Sequence, residues 1–370
     1  MSVACARHGI SRKTGYKWLA RYRELGALGL ADRSSAPHSV GSRLEAAVTV
    51  PILALRRQRP TWGPRKLLAR LSMDHPGVIW PAASTVGDLL IRAGLVTART
   101  RRAVEPATRK PLIEPVHAND SWSADFKGWF RTGDGVRCEP LTITDNYSRY
   151  LLLSQAVPRP TFADIKPLFM NVFREHGLPL ALRTDNGSPF ASRSGLAGLT
   201  QFSVWLLKLD IWPDRIAPGR PDQNGRHERM HRTLAQEPVT PRSPDVASQQ
   251  IRLNAWQVDY NTQRPHEALG QRCPATFYER SPRAFSEVTA DWVYPADHHV
   301  LRVRADGYIK WQDRSLYLTE ALIGEAIAIS RRDDGDWVVR FRSFDLAVLE
   351  QDSGKLRRSG LARSGQARTS

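Results

Sequence analysis

Residues 121–128 read SWSADFKG, residues 182–188 read LRTDNGS and residues 224–234 read NGRHERMHRTL. These stretches decide the fold, because each contributes one acidic residue from a different kind of local structure. Asp125 lies inside an apolar strand pattern, Asp185 at the end of a short strand, and Glu228 on a helix. The two aspartates are 60 positions apart, and Glu228 follows 43 positions after Asp185. We predict that the fold brings the three carboxylates together in one metal-binding site.

The segments around these acids alternate between strand and helix patterns. Apolar runs and turn signals predict the following order: strands at 121–129, 140–145 and 147–157, a helix at 161–176, a strand at 181–184, a helix at 195–209, a short strand near Ile211 and the helix that carries Glu228. Three strands followed by alternating helices and strands are typical of an α/β fold with a mixed sheet. We expect this core to occupy residues 117–280.

Three separated carboxylates suit divalent-metal chemistry. Mg²⁺ takes carboxylate oxygens and keeps some of its water, and phosphodiester chemistry commonly uses two such ions about 4 Å apart. Mn²⁺ suits an all-oxygen site equally well. We expect Asp125 to bridge two Mg²⁺ or Mn²⁺ ions, and Asp185 and Glu228 to hold one ion each.

Each acid also has a purely structural explanation. An aspartate in an apolar strand is unusual because a buried charge needs a partner or a metal. Asp-Asn-Gly is more often only a turn, and a glutamate on a helix is usually solvated. Asp145 is the local rival of Asp125, but it lies in an Asp-Asn turn signal and is assigned to structure. The prediction therefore depends on the ordered combination of the three acids.

The composition favours a polyanionic partner. The chain has 370 residues, with 54 Lys and Arg against 37 Asp and Glu, and a net charge of +17. Such an excess favours a polyanionic partner such as double-stranded DNA, and a membrane surface is the competing polyanion. No apolar run approaches the roughly 18 residues of a membrane-spanning helix, and no signal peptide opens the chain. Three widely separated cysteines form no zinc-spaced pair and fit a reducing cytoplasm.

Residues 1–35 are predicted to form a helix-turn-helix unit. Gly9 would lie in the turn, and Ser11 would cap the second helix. The apolar stripe expected to be buried consists of Ile10, Trp18, Leu19 and Tyr22. The side chains expected to face DNA are Arg12, Lys13, Lys17 and Arg21. A solvated helical hairpin is the alternative, and a third helix before Val3 would be needed for a three-helix unit, which leaves a truncated start open.

The remaining segments are assigned from composition and pattern. Residues 43–96 are predicted to form a second helix-turn-helix-like unit, in which Arg65 and Lys66 contact DNA and Ser84 caps a helix; a charged bundle that only spaces the domains is the alternative. Residues 97–116 are a basic linker. Short strands separated by Asp-Gly turns predict a small β-barrel at 292–352, and 353–370 is a basic disordered tail.

Four motifs together resemble a known family. WSADFKG, TDNGSPF, PGRPDQNGRHER and YNTQRPHEAL occur in this order and resemble bacterial insertion-sequence transposases with a retroviral-integrase-type core. The resemblance implies an RNase H-like core fold and a catalytic Asp-Asp-Glu triad, which maps onto Asp125, Asp185 and Glu228. It also implies that the C-terminal barrel is SH3-like.

The sequence departs from that family at two places. Between Asp185 and Glu228 lie 42 residues, more than in many members, which implies an insertion near Ser192 to Thr200. Many members carry Lys or Arg seven positions after the glutamate, where this chain has Ala235. The nearest basic substitutes are Arg229 and Arg232.

The resemblance implies a metal-dependent DNA transposase. Such an enzyme binds the terminal inverted repeats of a mobile element, uses water to expose a 3′-hydroxyl, and uses that hydroxyl to attack target DNA. We expect a homo-oligomer on DNA, in the bacterial cytoplasm and associated with the nucleoid. The residues expected to contact DNA near the acids are Asn186, Asn224, Arg226 and His227. A DNA-binding regulator with an inactive core and a simple RNase H-like nuclease remain open as alternatives.

Overall fold

The structure is a computed structural model of the chain, and it describes residues 1–32, 44–96, 114–192, 196–216, 221–351, 353–357 and 362–363. The chain forms two compact units, one of residues 1–51 and one of residues 52–370. Most of the predicted linker at 97–116, most of the predicted tail at 353–370 and part of the predicted insertion lie outside the described residues. For the undescribed residues those predictions stay predictions, whereas residues 356–357 and 362–363 of the predicted disordered tail form short strands.

The first unit contains two helices that cross closely. Its elements are α1 (Ser2–Arg7), α2 (Arg12–Leu25) and a 3₁₀ turn (Gly26–Leu30). The Ser11 hydroxyl accepts a hydrogen bond from the Thr14 N–H at 3.1 Å, so the predicted N-cap of α2 is confirmed. A Cβ on Gly15 would lie 2.4 Å from Cys5 Sγ. The helices can therefore cross at this distance only because residue 15 is glycine.

The predicted buried stripe of α2 is wrong at two positions, since Tyr22 is 52% exposed and Ile10 is 41% exposed. Arg21 was expected to face DNA, and this is also wrong. Its side chain is buried, its Nη2 donates to the Ala31 carbonyl at 3.3 Å, and its guanidinium lies 4.7 Å from the centre of the Trp18 ring. The reason is that the chain after α2 folds back over this side of the helix and encloses the guanidinium.

Three further helices precede the sheet: α3 (Ala46–Gln58), α4 (Pro64–Asp74) and α5 (Ala83–Arg92). In the second unit, α4 buries Leu67 and Leu71, and α5 buries Val86 and Leu90. The predicted N-cap of α5 at Ser84 is wrong. The extended backbone ends earlier, at Ala82 with ψ 150°, and the helix starts there without a side-chain cap.

The core is a mixed sheet, as the sequence predicts. Its strands are β1 (Ser121–Phe126), β2 (Phe130–Arg131), β3 (Arg137–Asp145), β4 (Leu151–Val157), β5 (Ala181–Thr184) and β6 (Trp212–Arg215). The strands β4, β3, β1, β5 and β6 lie side by side in that order, and β2 pairs with the start of β3. β1 is antiparallel to β3 and parallel to β5, and β5 is parallel to β6.

Helices pack on both faces of the sheet and show which face each strand side chain points to. They are α6 (Phe162–His176), α7 (Gln201–Lys208), α8 (Gly225–Gln236) and α9 (Val246–Thr262). One apolar cluster joins Trp122 and Ala124 of β1 to α6 and α7. A second cluster joins β3 and β4 to α8 and α9. Because side chains alternate along a strand, Asp125 faces the side of the sheet opposite to Trp122 and Ala124, where α8 lies.

The helix α9 covers the free edge of β4 with side-chain amides. Asn261 accepts from the Leu151 N–H at 2.8 Å and donates to the Leu151 carbonyl at 2.9 Å. Gln257 and Gln250 make similar bonds to backbone groups of the same strand. These amides stand where the backbone of a next strand would be, so they satisfy the polar groups of the edge.

The C-terminal part of the second unit is all β. Its strands are β7 (His299–Arg302), β8 (Tyr308–Trp311), β9 (Arg314–Tyr317), β10 (Ala326–Arg331), β11 (Trp337–Phe341), β12 (Phe344–Leu349), β13 (Leu356–Arg357) and β14 (Ala362–Arg363). The sheet runs β13, β12, β11, β10, β7, with β14 also on β12, and β8 and β9 form a separate hairpin. The predicted closed barrel is not confirmed: among the described residues the sheet is open, because the hairpin does not pair with its ends. In the same ranges, no helix has the length and apolar content needed to cross a membrane.

Candidate metal and DNA site

Asp125 lies in the centre of the sheet, beneath α8. Its register partner on β3 is Thr142, and Asn224 at the start of α8 donates from Nδ2 to Asp125 Oδ2 at 3.1 Å. Burial and the negative charges of Asp185 and Glu228 raise the pKa of Asp125 to about 7. The negative charges of the other two predicted acids, Asp185 and Glu228, therefore disfavour the ionisation of Asp125.

Asp185 follows β5 in a loop that is held by local hydrogen bonds. The Gly187 N–H donates to Asp185 Oδ1 at 3.1 Å, and a Cβ on Gly187 would lie 3.0 Å from Asp185 Oδ2. Asn186 is exposed, but its Nδ2 donates to the Ile216 carbonyl at 2.7 Å, just after β6. The amide of Asn186 therefore joins two strand ends, and the glycine leaves room for the carboxylate.

Glu228 is exposed in the first turn of α8. The basic residues Arg229 and Arg232 of the same helix are exposed as well. Arg226 is also exposed, and its Nη2 lies 2.8 Å from Glu114 Oε2. The acid therefore shares the solvent side of α8 with three arginines, one of which has an acidic partner.

Two residues that the sequence assigns to DNA contact are instead buried, and both predictions are wrong. Asn224 is 6% exposed and binds Asp125, and His227 is 2% exposed. The apolar face of α8 explains the burial of the histidine, because Met230 and Leu234 follow it at helical spacing and are buried beside it. That spacing is the signal in the sequence that identifies His227 as an inward-facing residue.

Two threonine hydroxyls join the histidines of α8 to β3. Thr142 Oγ1 lies 2.7 Å from Nε2 of His227, 2.7 Å from Nε2 of His231 and 3.2 Å from the Asp125 carbonyl. Thr144 Oγ1 lies 3.1 Å from Nδ1 of His227. Burial lowers the pKa of His227 to about 3, and burial with the adjacent His227 lowers the pKa of His231 to about 2. Both rings are neutral near pH 7, and the network ties α8 to β3 and, through the Thr142 hydroxyl, to the Asp125 carbonyl on β1.

His231 is a functional candidate that the sequence analysis missed. Its Nδ1 lies 3.9 Å from Asp125 Oδ2. Asp125, His227 and His231 can each direct one ligand atom to a place where these atoms lie within 4.8 Å of one another. The signal was a pair of histidines four positions apart, which places both on one face of a helix.

Asp145, the rival of Asp125, has a structural role, as predicted. It is 1% exposed. Its carboxylate accepts hydrogen bonds from the Asn119 N–H at 2.8 Å, the Ser148 N–H at 2.7 Å and the Ser148 hydroxyl at 2.6 Å. These three hydrogen bonds compensate for the burial of the Asp145 carboxylate, so it needs no metal ion as a partner.

The other residues predicted to contact DNA lie in the two helical segments. On α2, Arg12, Lys13 and Lys17 are exposed. On α4, Arg65 Nη1 lies 3.0 Å from Glu267 Oε1, with both side chains largely in solvent. Lys66 is half-buried, and burial with the neighbouring charge of Arg264 lowers its pKa to about 8. Lys66 is thus less available to a phosphate than Arg65.

Comparison with known families gives three matches along the chain. Residues 115–221 and residues 209–274 match models described as integrase core domain. Residues 14–90 match a homeodomain-like domain. The two integrase matches together include all three acids.

Two proteins of bacterial insertion elements are similar to the chain. It is 26% identical over 273 residues to an uncharacterized 39.2 kDa protein of insertion element IS476 from Xanthomonas euvesicatoria, covering 73% of this chain and 76% of that protein. It is 29% identical over 251 residues to an uncharacterized 31.7 kDa protein of insertion element IS407 from Burkholderia multivorans, covering 64% and 84%. These matches and the domain models confirm the resemblance stated from the four motifs.

Solved structures with similarity include a simian T-cell lymphotropic virus intasome in complex with the PP2A regulatory subunit B56 gamma. The TM-score is 0.37 at 14% identity, with 86% of this chain and 100% of that chain covered. The HTLV-2 integrase catalytic core domain in complex with magnesium gives a TM-score of 0.31 at 14% identity, with 44% and 99% covered.

Proposed function

We propose that this chain, which carries the integrase core and the homeodomain-like domain of a bacterial insertion-sequence transposase, cuts and joins the ends of a mobile DNA element. The observation that supports this most is electrostatic: the charges of Asp185 and Glu228, which come from two other motifs, both raise the pKa of Asp125 beneath α8. Such an arrangement of carboxylates costs stability unless a cation balances it. The two integrase-core matches span the same acids.

Asp125, Asp185 and Glu228 fit a divalent cation, because their oxygens are the ligands that Mg²⁺ and Mn²⁺ prefer. When bound, such ions activate the attacking oxygen and stabilise the leaving oxygen at phosphorus. The protein orients the carboxylates: Asn224 donates to Asp125 at 3.1 Å, and the Gly187 N–H donates to Asp185 at 3.1 Å. These bonds fix the two aspartates before DNA arrives.

The reaction consists of two displacements at phosphorus. Water first attacks the phosphodiester at the element end, and the element's 3′-oxygen leaves as a hydroxyl while the flanking strand keeps the phosphate. That hydroxyl then attacks a phosphodiester of the target and forms a new P–O bond, and the target's 3′-oxygen leaves. No covalent protein–DNA intermediate is formed. The neutral, buried pair of His227 and His231 keeps α8 against the sheet, so that the helix carrying Glu228 holds its position over Asp125 during both steps.

DNA would be held by basic side chains outside the acidic centre. Arg229 and Arg232 stand on the same side of α8 as Glu228 and suit phosphates next to the cut, and Arg226 would exchange Glu114 for a phosphate. Arg12, Lys13 and Lys17 suit the groove at the terminal repeat, and Arg65 suits a backbone contact. Pairing two element ends requires more than one chain, so we expect a homo-oligomer on DNA in the bacterial cytoplasm, at the nucleoid. We further propose that the C-terminal sheet and hairpin serve the role of the SH3-like domain.

The test uses duplex oligonucleotides that carry the inverted repeats flanking the gene. Nicking and strand transfer are measured with Mg²⁺ for the unmodified chain and for Glu228→Gln. Glu279→Gln is the matched control, because Glu279 is an exposed acid of the same unit. We expect metal-dependent joining that Glu228→Gln abolishes and Glu279→Gln leaves intact. Binding to these ends without cutting by the unmodified chain would instead favour a regulator, and unspecific cleavage of an RNA–DNA hybrid would favour a nuclease.

A further inference from the structure

We propose that His231 Nδ1 is a ligand of the divalent cation at Asp125, in addition to the three acids. The inference rests on the proposed metal-dependent function and refines it, since it adds a nitrogen ligand from α8. Two observations support it: the positions of the hydrogens in the Thr142–histidine network, and the distance between His231 Nδ1 and Asp125 Oδ2, which both hold lone pairs.

The Thr142 hydroxyl decides where the hydrogens lie. It has one hydrogen and two lone pairs, and three partners surround it. The Asp125 carbonyl, at 3.2 Å, can only accept, and we assign the Thr142 hydrogen to it. In this assignment both histidine Nε2 atoms, each at 2.7 Å, donate to the two lone pairs of the hydroxyl. His227 and His231 therefore carry their ring hydrogens on Nε2.

A neutral imidazole with its hydrogen on Nε2 has a lone pair on Nδ1. For His227 this lone pair is satisfied, because Thr144 Oγ1 lies 3.1 Å away with a hydrogen to donate. The Thr144 contact is compatible with the arrangement assigned from Thr142. For His231, no donor among the described residues meets Nδ1, although the residue is only 8% exposed.

The atom that faces His231 Nδ1 is itself an electron-pair donor. Asp125 Oδ2 lies 3.9 Å away, and it already accepts from Asn224 at 3.1 Å. A direct O–H···N hydrogen bond from a protonated Asp125 is excluded, because such bonds are shorter than about 3.2 Å. Two lone pairs that face each other beneath a helix, on side chains that are 10% and 19% exposed, are what a cation binds, and neutral imidazole is a common metal ligand.

A nitrogen ligand changes which ion the site prefers. Carboxylate and water oxygens suit Mg²⁺ and Mn²⁺ alike, whereas imidazole favours the transition metals. We therefore expect the chain to bind Mn²⁺ more tightly than Mg²⁺, and we expect this preference to depend on residue 231.

The experiment compares two amide substitutions of His231 in the full chain. A glutamine can place its amide N–H near the position of Nε2 and keep the bond to Thr142, but it has no atom at Nδ1. An asparagine places its amide oxygen near the position of Nδ1 and loses the bond to Thr142. His231→Gln therefore removes the proposed metal ligand and keeps the hydrogen bond to Thr142. His231→Asn places an oxygen where the ligand nitrogen was.

Binding of Mn²⁺ is measured by electron paramagnetic resonance, and pulsed spectra of the bound ion report a directly coordinated imidazole nitrogen. For the unmodified chain we expect that nitrogen signal, both without DNA and with an element-end duplex. His231→Gln should lose the signal and bind Mn²⁺ roughly 10- to 100-fold more weakly. Loss of a residue that only hydrogen-bonds to a metal ligand already weakens metal binding by this factor, so loss of the ligand should cost at least as much. His231→Asn should lose the signal but retain Mg²⁺ binding better than His231→Gln. Asp125→Asn should abolish binding of the ion.

Three results would overturn the proposal. These are a bound Mn²⁺ without coordinated nitrogen in the unmodified chain, a nitrogen signal that persists in His231→Gln, and no Mn²⁺ binding with or without DNA. A water between His231 and Asp125 would give the first result. The spectra do not depend on DNA cleavage, so a chain that holds the ion through nitrogen but never joins DNA would contradict the proposed function and not the ligand.

Discussion

Replacing Thr142 by valine removes one hydroxyl and keeps the branched shape of the side chain. That hydroxyl accepts from Nε2 of His227 and of His231 at 2.7 Å each. The histidines are 2% and 8% exposed, so neither N–H can turn to water. An unsatisfied buried donor costs about 1–3 kcal/mol, and two of them cost about 2–6 kcal/mol. We expect Thr142→Val to lower the free energy of unfolding by that amount, a large part of the roughly 5–15 kcal/mol of a typical domain.

Thr144→Val is the matched control on the same strand and the same face of the sheet. It removes one hydrogen bond, to Nδ1 of His227, so we expect about 1–3 kcal/mol. Thr142→Ser keeps the hydroxyl and should cost about 1 kcal/mol for the lost methyl group. Urea unfolding of the full chain in EDTA, followed by tryptophan fluorescence, measures all three, since ten of the 11 tryptophans lie in residues 52–370. A Thr142→Val chain that is no less stable than Thr144→Val would refute the two-histidine network.

Three further predictions concern other parts of the fold. In EDTA, Asp125→Asn should stabilise the chain about 2–3 kcal/mol more at pH 8 than at pH 5. The reason is that the folded pKa is raised from 3.8 to about 7, so the wild-type free energy of unfolding falls as pH rises through this window; equal effects on thermal unfolding at both pH values would contradict it. Gly15→Ala should destabilise the first unit by about 1–3 kcal/mol, because its Cβ would lie 2.4 Å from Cys5 Sγ. Amide hydrogen exchange of α1 and α2 measures this loss. The double variant Cys5→Ala/Gly15→Ala should recover slow exchange, because it removes the clash. Unchanged exchange in Gly15→Ala alone would argue against the close crossing. Asn261→Ala should speed amide exchange at Leu151, whose N–H donates to Asn261 at 2.8 Å, whereas the exposed control Thr262→Ala should not; equal exchange in the two variants would mean that α9 does not protect the edge.

The order of elements in the core was predictable because its local signals are strong. The helix predicted at 161–176 is observed as α6: the Thr161 hydroxyl caps it by accepting from the Asp164 N–H at 3.3 Å, and it ends at Gly177 with φ 76°. The strand at Ala181–Thr184 was predicted with the same bounds. Local capping and apolar runs are enough to define such elements.

The grouping of the three acids was predicted only from the motifs in combination. Nothing local to Asp125, Asp185 or Glu228 indicates that they meet, because they lie on β1, after β5 and on α8. The electrostatic effect of Asp185 and Glu228 on Asp125 agrees with the grouping. Their role as metal ligands stays a proposal.

The mistaken assignments share one physical cause, which is that charge and polarity were interpreted as exposure. His227 is polar but lies on the apolar face of α8, and Asn224 is used to hold Asp125. Arg21 is cationic but is enclosed by the chain that returns after α2. The open C-terminal sheet depends on whether distant strands pair, which short-range alternation does not determine. In each case a contact made far along the chain decides the outcome.

The central claim is that Asp125, Asp185 and Glu228 surround one metal site, and iron-directed cleavage of the protein tests it most directly. Fe²⁺ replaces Mg²⁺, ascorbate and peroxide generate radicals at the bound ion, and mass spectrometry locates the backbone cuts in the full chain. The account predicts cuts near all three acids at once, and the loss of all of them together in Asp125→Asn. Cuts confined to one of the three segments, or cuts that persist in Asp125→Asn, would contradict it.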